Sequence, residues 1–172
     1  MVTSPNAKRE TPNANLSDEA LAKLERDVWH WLEEVMDPEI PVLSICDLGI
    51  VRAVRWDDAG LVVTITPTYS GCPAMTVIAD EIRSVLQKRG IPKFRIETQL
   101  SPAWTTDWLS EKGRKRLREY GIAPPAAGAQ RISCPHCGSD TTRLVSQFGS
   151  TPCKAIYVCE TCREPFDYFK CH

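Results

Sequence analysis

The fold of the larger part of this chain is decided by the stretch LVVTITPTYSGCPAM, residues 61–75. Its first six residues are apolar or β-branched and predict a strand. Pro73 suits the first turn of a helix, and apolar residues recur at helical spacing from Met75 to Leu86. A single thiol, Cys72, therefore lies at the joint between a strand and a helix, and Gly71 beside it permits a tight turn and a close backbone approach.

The residues on both sides of this stretch complete a small α+β domain. The segments GIVRAVRW and LVVTIT flank the turn DDAG and predict a β-hairpin, and the alternating segment KFRIETQL predicts a third strand. A first helix is predicted to begin at the cap Ser17, and the prolines of DPEIP end it. The order α-β-β-α-β favours a small sheet, made of a hairpin and a third strand, that is covered by helices.

The rest of the chain divides by composition. Residues 1–16 are polar, and we expect a disordered tail there, before an α+β domain at 17–105. A third helix over residues 106–120 and the linker GIAPPAAGAQ are predicted to occupy 106–130. The cysteine-rich segment 131–172 is predicted to form a separate module.

Composition restricts the class of protein. The chain is 42% hydrophobic and 25% charged, with a net charge of −1, which is typical of a soluble globular protein. This charge provides no overall field that would attract nucleic acid or an anionic membrane. No apolar run approaches the roughly 18 residues of a membrane helix. The polar first residues do not resemble a secretory signal, so we expect a cytoplasmic protein with no membrane partner.

Most of the eight cysteines lie in the C-terminal module. Clustered Cys-x-x-Cys pairs in a reducing compartment indicate a metal site rather than disulfides. Four thiolates predict a closed tetrahedral zinc site in a zinc ribbon, with iron as the alternative metal. The predicted ligands are Cys134, Cys137, Cys159 and Cys162. Cys153 is an extra thiol, either buried and structural or a reserve ligand, and Cys171 has no predicted role.

A zinc ribbon raises the alternative of nucleic-acid binding. The predicted third helix carries the basic run KGRKRLR, which supports that alternative. Acidic residues in and after the second Cys-x-x-Cys pair, and the near-neutral charge, weigh against it. A basic run on a helix is more often a solvated face, and it could also bind an acidic protein. Nucleic acid is therefore an unlikely partner.

The environment of Cys72 allows two interpretations. As the N-cap of a helix it would lie near unpaired amides, which lower a thiol pKa and favour a reactive or metal-binding thiolate. Alternatively, the cysteine fills a small apolar gap. Asp37, Glu39 and Asp47 are the remaining polar candidates. Asp37 and Asp47 most simply cap turns, and the alternative is that they face the thiol. The only histidine before the ribbon is His30, so a self-sufficient enzyme is not expected.

A resemblance adds to this interpretation. The segments DPEIPVLSICDLGIVRAV and TPTYSGCPAM resemble the iron–sulfur assembly domain of cluster-maturation factors. The resemblance implies that Cys72 is the functional thiol, carrying a transient iron–sulfur cluster or iron, and it assigns no role to Cys46. The matching positions, which include the candidate supporting residues, are Asp37, Pro38, Glu39, Asp47, Leu48, Gly49 and Cys72.

Three further segments extend the resemblance: SPAWTTDWLSEKGRKRLREYGIAPP, CPHCGS and FGSTPCKAIYVCETCREPFDYFKCH. With them, the chain from Leu21 to His172 resembles the D subunits of bacterial phenylacetyl-CoA epoxidase systems, which act in aerobic phenylacetate degradation. The resemblance implies an accessory role in maturation or insertion of iron or iron–sulfur centres. Its implied partners are the oxygenase and reductase subunits, with the iron–sulfur assembly machinery as a further candidate. The alternative is a stoichiometric structural subunit of the oxygenase complex. The sequence leaves open the cluster type, the receiving subunit and the oligomeric state.

Overall fold

A computed structural model describes residues 17–69, 71–125 and 131–170 of the chain. The predicted disordered tail at 1–16 lies outside these residues, as do Cys171, His172 and the 126–130 part of the predicted linker. Within the described part of the chain, no helix is both long and apolar enough to cross a membrane.

Two long helices cover the first sheet. Helix α1, Asp18–Leu32, begins after Ser17, whose side chain accepts a hydrogen bond from the Ala20 amide. Helix α2, Ala74–Lys88, buries the apolar stripe that the sequence predicted. Because helical residues three and four apart share a face, one side of each helix packs on the sheet. The buried residues of α2 are Ala74, Ile78, Ile82 and Leu86.

The first sheet has the strand order β1-β2-β3. Strands β1 (Val51–Asp57) and β2 (Gly60–Ile65) form the predicted antiparallel hairpin, and β3 (Phe94–Thr98) pairs with β2 in parallel. A parallel partner requires a crossover, which α2 provides between β2 and β3. Strand β2 is buried along its whole length because it lies in the centre of the sheet. The predicted α+β fold is confirmed.

The predicted third helix is interrupted, which corrects the sequence analysis. A short 3₁₀ turn, Thr106–Trp108, is followed by helix α3, Glu111–Glu119. Leu109 between them is extended and buried, and Ser110 caps α3 by accepting a hydrogen bond from the Gly113 amide at 2.8 Å. Serine favours a cap over a helix interior because its hydroxyl competes for backbone groups. The helix therefore restarts at this residue.

The second sheet is formed mainly by the cysteine-rich module. Its order is β4-β7-β6-β5, from strands β4 (Ile122–Ala123), β5 (Thr142–Ser146), β6 (Lys154–Cys159) and β7 (Pro165–Phe169). The short strand β4 follows α3 directly and pairs in parallel with β7. The end of the helical segment is thus hydrogen-bonded into the ribbon.

The two sheets share a hydrophobic core. Cys153 and Phe169 of the ribbon belong to the main core cluster of the α+β domain, and a smaller cluster surrounds Cys134 and Cys159. The ring of Trp104 meets Phe169 edge-on, with 6.1 Å between the ring centroids. The Trp104 indole N–H also donates to the Leu48 carbonyl at 2.8 Å. The ribbon is therefore packed against the core of the α+β domain.

Candidate functional site

The four cysteines of the Cys-x-x-Cys pairs converge on one point. Their Sγ atoms all lie within 4.8 Å of one another. The closest pairs are Cys134 with Cys162, at 3.7 Å, and Cys137 with Cys159, at 3.6 Å. Each close sulfur pair joins a cysteine of the first Cys-x-x-Cys turn to a cysteine of the second. The four sulfur atoms therefore converge only when both turns are folded.

The two turns have the same backbone geometry. In the first, the Gly138 amide donates to the Cys134 carbonyl at 2.9 Å, and in the second the Arg163 amide donates to the Cys159 carbonyl at 2.9 Å. Gly138 and Arg163 both adopt positive φ angles, 76° and 69°. Glycine accepts this conformation easily, whereas arginine does so only under constraint. The second turn is thus held in shape by the surrounding sheet.

This arrangement fits a tetrahedral metal ion. With zinc–sulfur bonds of about 2.3 Å, tetrahedral ligands stand ~3.8 Å apart, close to the separations of the two sulfur pairs. The backbone amides of Cys162 and Thr161 lower the pKa of the Cys159 thiol to about 6. A thiol that readily loses its proton is a ready metal ligand. The four cysteines therefore form a candidate metal centre.

Cys72 does not occupy the predicted cap position. Helix α2 begins at Ala74 with Pro73 as its cap residue, and Cys72 lies one residue earlier. Burial raises the pKa of the Cys72 thiol, and Glu39 and Asp37 raise it further. The hydroxyl of Tyr69 and the amide of Ala74 only partly oppose this rise. The predicted low pKa is wrong, because desolvation and negative neighbours outweigh the helix terminus.

The role of Gly71, next to Cys72, lies in its backbone conformation. Gly71 has a φ angle of 80°, which residues other than glycine rarely adopt. A Cβ atom built on it would meet no atom of the described residues within 4 Å, so the predicted close backbone approach is not present there. Gly71 therefore shapes the turn that carries Cys72 without packing against the described residues.

Two of the predicted carboxylates, Asp37 and Glu39, act electrostatically on the Cys72 thiol. Asp37 is buried, and its Oδ1 accepts hydrogen bonds from the Glu39 amide at 2.9 Å and the Ile40 amide at 2.7 Å. Burial raises the pKa of Asp37, although these two amides lower it. The turn that Asp37 closes places Glu39 Oε2 3.6 Å from the Cys153 Sγ and within electrostatic reach of the Cys72 thiol. This loop thus supplies the negative charge of the thiol site.

Asp47 has a different place and partner set. Its Oδ1 accepts a hydrogen bond from the Ser110 hydroxyl at 2.9 Å, and its Oδ2 pairs with the Arg116 guanidinium at 2.8 Å. Asp47 therefore anchors the start of α3 to the α+β domain. It is not among the groups that most strongly shift the Cys72 pKa. The structure does not bring it to the thiol.

Most of the basic run KGRKRLR is engaged within the chain. Besides Arg116, the Arg114 guanidinium donates to the Thr106 carbonyl at 2.8 Å, and Lys112 pairs with Glu33 at 3.4 Å. Lys115 lies 3.7 Å from Glu119. These contacts hold α3 in place, and they leave fewer basic side chains available to bind a polyanion.

The sequence did not predict the surroundings of Cys153. Cys153 is only 3% exposed, and its Sγ lies 3.6 Å from Glu39 Oε2 and 3.0 Å from the Thr151 hydroxyl. Burial raises its pKa to about 11. Cys46, by contrast, lies against the Trp29 carbonyl at 4.0 Å, and burial raises its pKa to about 12. Only the fold distinguishes these two thiols.

Two protein families match separate parts of the chain. Residues 25–95 match the family described as iron–sulfur cluster assembly protein, and residues 123–170 match the PaaD zinc beta ribbon domain. The crystal structure of a domain of unknown function, DUF59, from Bacillus anthracis aligns with a TM-score of 0.55 at 26% identity. It covers 59% of this chain and 97% of that domain, which supports the α+β fold.

Two relatives carry functional names. An iron–sulfur protein maturation auxiliary factor of Porphyromonas gingivalis is 35% identical over 54% of this chain and 90% of its own length. The Escherichia coli protein named as the D subunit of 1,2-phenylacetyl-CoA epoxidase is 50% identical over 84% of this chain and 92% of its own length. The latter match spans both the assembly domain and the ribbon, so this chain belongs to the family of phenylacetyl-CoA epoxidase D subunits.

Proposed function

We propose that this protein is an accessory factor of a phenylacetyl-CoA epoxidase system, acting in maturation or insertion of the iron or iron–sulfur centres of its oxygenase or reductase. The observation that carries the proposal is the position of Cys72 in the turn before α2, where burial, Glu39 and Asp37 raise the pKa of its thiol. This thiol lies in the domain that matches the iron–sulfur cluster assembly family. Maturation factors among the relatives support the same role.

The chemistry of the thiol site suits a passing cargo. Burial and two nearby carboxylates keep Cys72 protonated, because a thiolate there would add negative charge to a negative pocket. The positive charge of an iron cargo would be attracted by the two carboxylates. Its arrival would displace the thiol proton to solvent, and its departure would restore the neutral thiol. Such a site would release a proton when it binds metal and regain one when the metal leaves.

We propose that the four-cysteine centre, in contrast, holds zinc permanently. Cys134, Cys137, Cys159 and Cys162 would be the ligands, and the metal would stabilise a module with only a small core of its own. With no open coordination position, such a centre is structural. It would keep the ribbon in the shape that packs against Trp104.

Co-expression with the epoxidase system tests the proposed role. Cys72→Ala should leave the fold and zinc content intact but lower the iron content and activity of the oxygenase or its reductase. Cys46→Ala is the matched control, since Cys46 is also a half-buried lone cysteine of the same domain but lies on the Trp29 side. Full iron loading of both clients by the Cys72→Ala protein would contradict the proposal.

A second candidate function is a stoichiometric structural subunit of the oxygenase complex. The name of the Escherichia coli relative, which places it among the subunits of the epoxidase, favours this candidate. In that case purified active epoxidase should contain this protein in fixed ratio and lose activity when it is removed. A maturation factor should instead be dispensable once the client has been loaded.

A further inference from the structure

We propose that a cavity next to the turn that carries Cys72 binds a small neutral aromatic molecule with one hydrogen-bonding group. The cavity has a volume of about 180 Å³ and is lined by residues of the segments 66–69 and 100–104. It lies apart from the four-cysteine metal centre. The inference goes beyond the proposed function and does not depend on it.

The cavity lies at the carboxyl ends of two parallel strands. Strand β2 ends at Ile65 and β3 at Thr98, and these two residues are paired. The Gln99 amide then donates to the Ile65 carbonyl at 2.8 Å, so the chain leaves both strands side by side. In open α/β sheets, ligands bind in the crevice outside this end of the strands. The fold therefore places the cavity where a ligand can be received.

The hydroxyl of Thr66 is the observation that indicates a ligand. Thr66 lines the cavity and is only 1% exposed. Among the described residues, its Oγ1 atom has no hydrogen-bond partner. A buried hydroxyl without a partner is costly, and nearly all buried polar groups in folded proteins are hydrogen-bonded. A ligand atom that donates or accepts a hydrogen bond would supply the missing partner.

The rest of the lining determines the charge of the ligand. None of the described residues that line the cavity carries a charge. A charged ligand would lose its hydration there and gain no counter-charge, which is unfavourable. Most of the lining is apolar, and the apolar contributors are Pro67, Leu100, Ala103 and Trp104. The cavity therefore suits a neutral, mainly apolar molecule.

The shape and size of the cavity favour an aromatic ring. Tyr69 and Trp104 both line it, and aromatic side chains pack well against other rings. Trp104 is held in place, because its indole N–H donates to the Leu48 carbonyl at 2.8 Å and its ring meets Phe169 edge-on. A cavity of about 150 Å³ with apolar walls is enough to bind benzene. The cavity here therefore has room for a ring with one small polar substituent.

The cavity connects solvent to the segment that leads to Cys72. On one side, Leu100 is 66% exposed and Ala103 is also exposed, so a ligand can enter there. On the other side lies Tyr69, whose carbonyl accepts a hydrogen bond from the Cys72 amide at 3.2 Å. A bound molecule would thus contact the residues that hold the start of the Cys72 turn.

Nuclear magnetic resonance of the full-length ¹⁵N-labelled protein tests the inference, with phenol and benzene as separate probes. Both probes should shift the amide signals of Thr66, Tyr69 and Trp104 in a saturable way. Thr66→Val keeps the shape of the side chain but replaces its hydroxyl with a methyl group. The ratio of the benzene dissociation constant to that of phenol should fall by about threefold to tenfold in this variant, because one hydrogen bond is lost.

Thr64→Val is the matched control. Thr64 is also a buried threonine of β2, 8% exposed, but it is not among the residues that line the cavity. This variant should keep the wild-type ratio. If neither probe shifts the signals of the cavity residues, the cavity holds only water and the inference is overturned. An unchanged ratio in Thr66→Val would also overturn it, because the hydroxyl would then not contact the ligand.

Discussion

The two groups of cysteines in this chain have opposite surroundings. In the ribbon, the thiols face one another and backbone amides, and the pKa of Cys159 falls to about 6. At the junction with the α+β domain, Cys153 faces the Glu39 carboxylate, and burial raises its pKa to about 11. Within the ribbon, burial and the other sulfur atoms raise the pKa of Cys162 to about 12, so Cys159 is the ribbon thiol that ionises most readily, whereas Cys153 stays protonated.

Under the proposed function, this difference would allow one chain to hold one metal permanently and to hand over another. Amide donors and four converging sulfurs favour a closed site that need not open. A protonated thiol beside carboxylates favours a site that fills only when a cation arrives. Strand β6 connects the two regions, because it begins directly after Cys153 and ends at Cys159.

The largest effect is expected when the closed site is broken. Cys159→Ser should remove the bound zinc, about one per chain, and unfold the ribbon, because the metal contributes roughly 10 kcal/mol or more to the folding of such modules. Zinc analysis together with circular dichroism of the purified variant would measure this. Cys46→Ser, at a thiol outside the ribbon, should keep its zinc. Stoichiometric iron in the aerobically purified protein would contradict the zinc assignment.

A smaller effect is expected when the contact between the two regions is weakened. Phe169 is 1% exposed and packs on Trp104, so Phe169→Ala should destabilise the chain by about 3–4 kcal/mol while zinc stays bound. Denaturant unfolding followed by Trp fluorescence would measure it. Phe148→Ala is the matched control, since that ring is 64% exposed and should cost little. Equal losses for the two variants would show that the domains do not share a core.

The smallest effect concerns the rate of a chemical reaction. Because its pKa is raised, Cys72 holds less thiolate at pH 8 than an unperturbed cysteine and should react more slowly with iodoacetamide. Its rate should continue to increase with pH above about 8.5, where an ordinary thiol is half ionised. Mass spectrometry of the Cys72 peptide at several pH values would measure this. Fast labelling below pH 8 would mean that the helix terminus outweighs burial.

Much of the fold could be predicted because its signals are local. Ser17 as a cap, the DDAG turn and the apolar stripe of α2 lie within a few residues of the structure that they specify. The interruption at Ser110 was missed because a single serine between Leu109 and Glu111, just before the basic run KGRKRLR, is a weak local signal. Its extended neighbour Leu109 is held by burial in the core, which no local pattern reveals.

The sequence alone determined the ribbon motif and the position of the Cys72 turn, because two-residue spacing between cysteines and a glycine–cysteine–proline joint restrict the backbone locally. Tertiary structure decided the pKa of Cys72, since desolvation depends on everything packed around a thiol. It also decided that Cys153 would lie beside Glu39, 114 residues earlier in the chain. Contacts over such a distance arise from packing between domains, and neither composition nor spacing encodes which of two lone cysteines will take part in them.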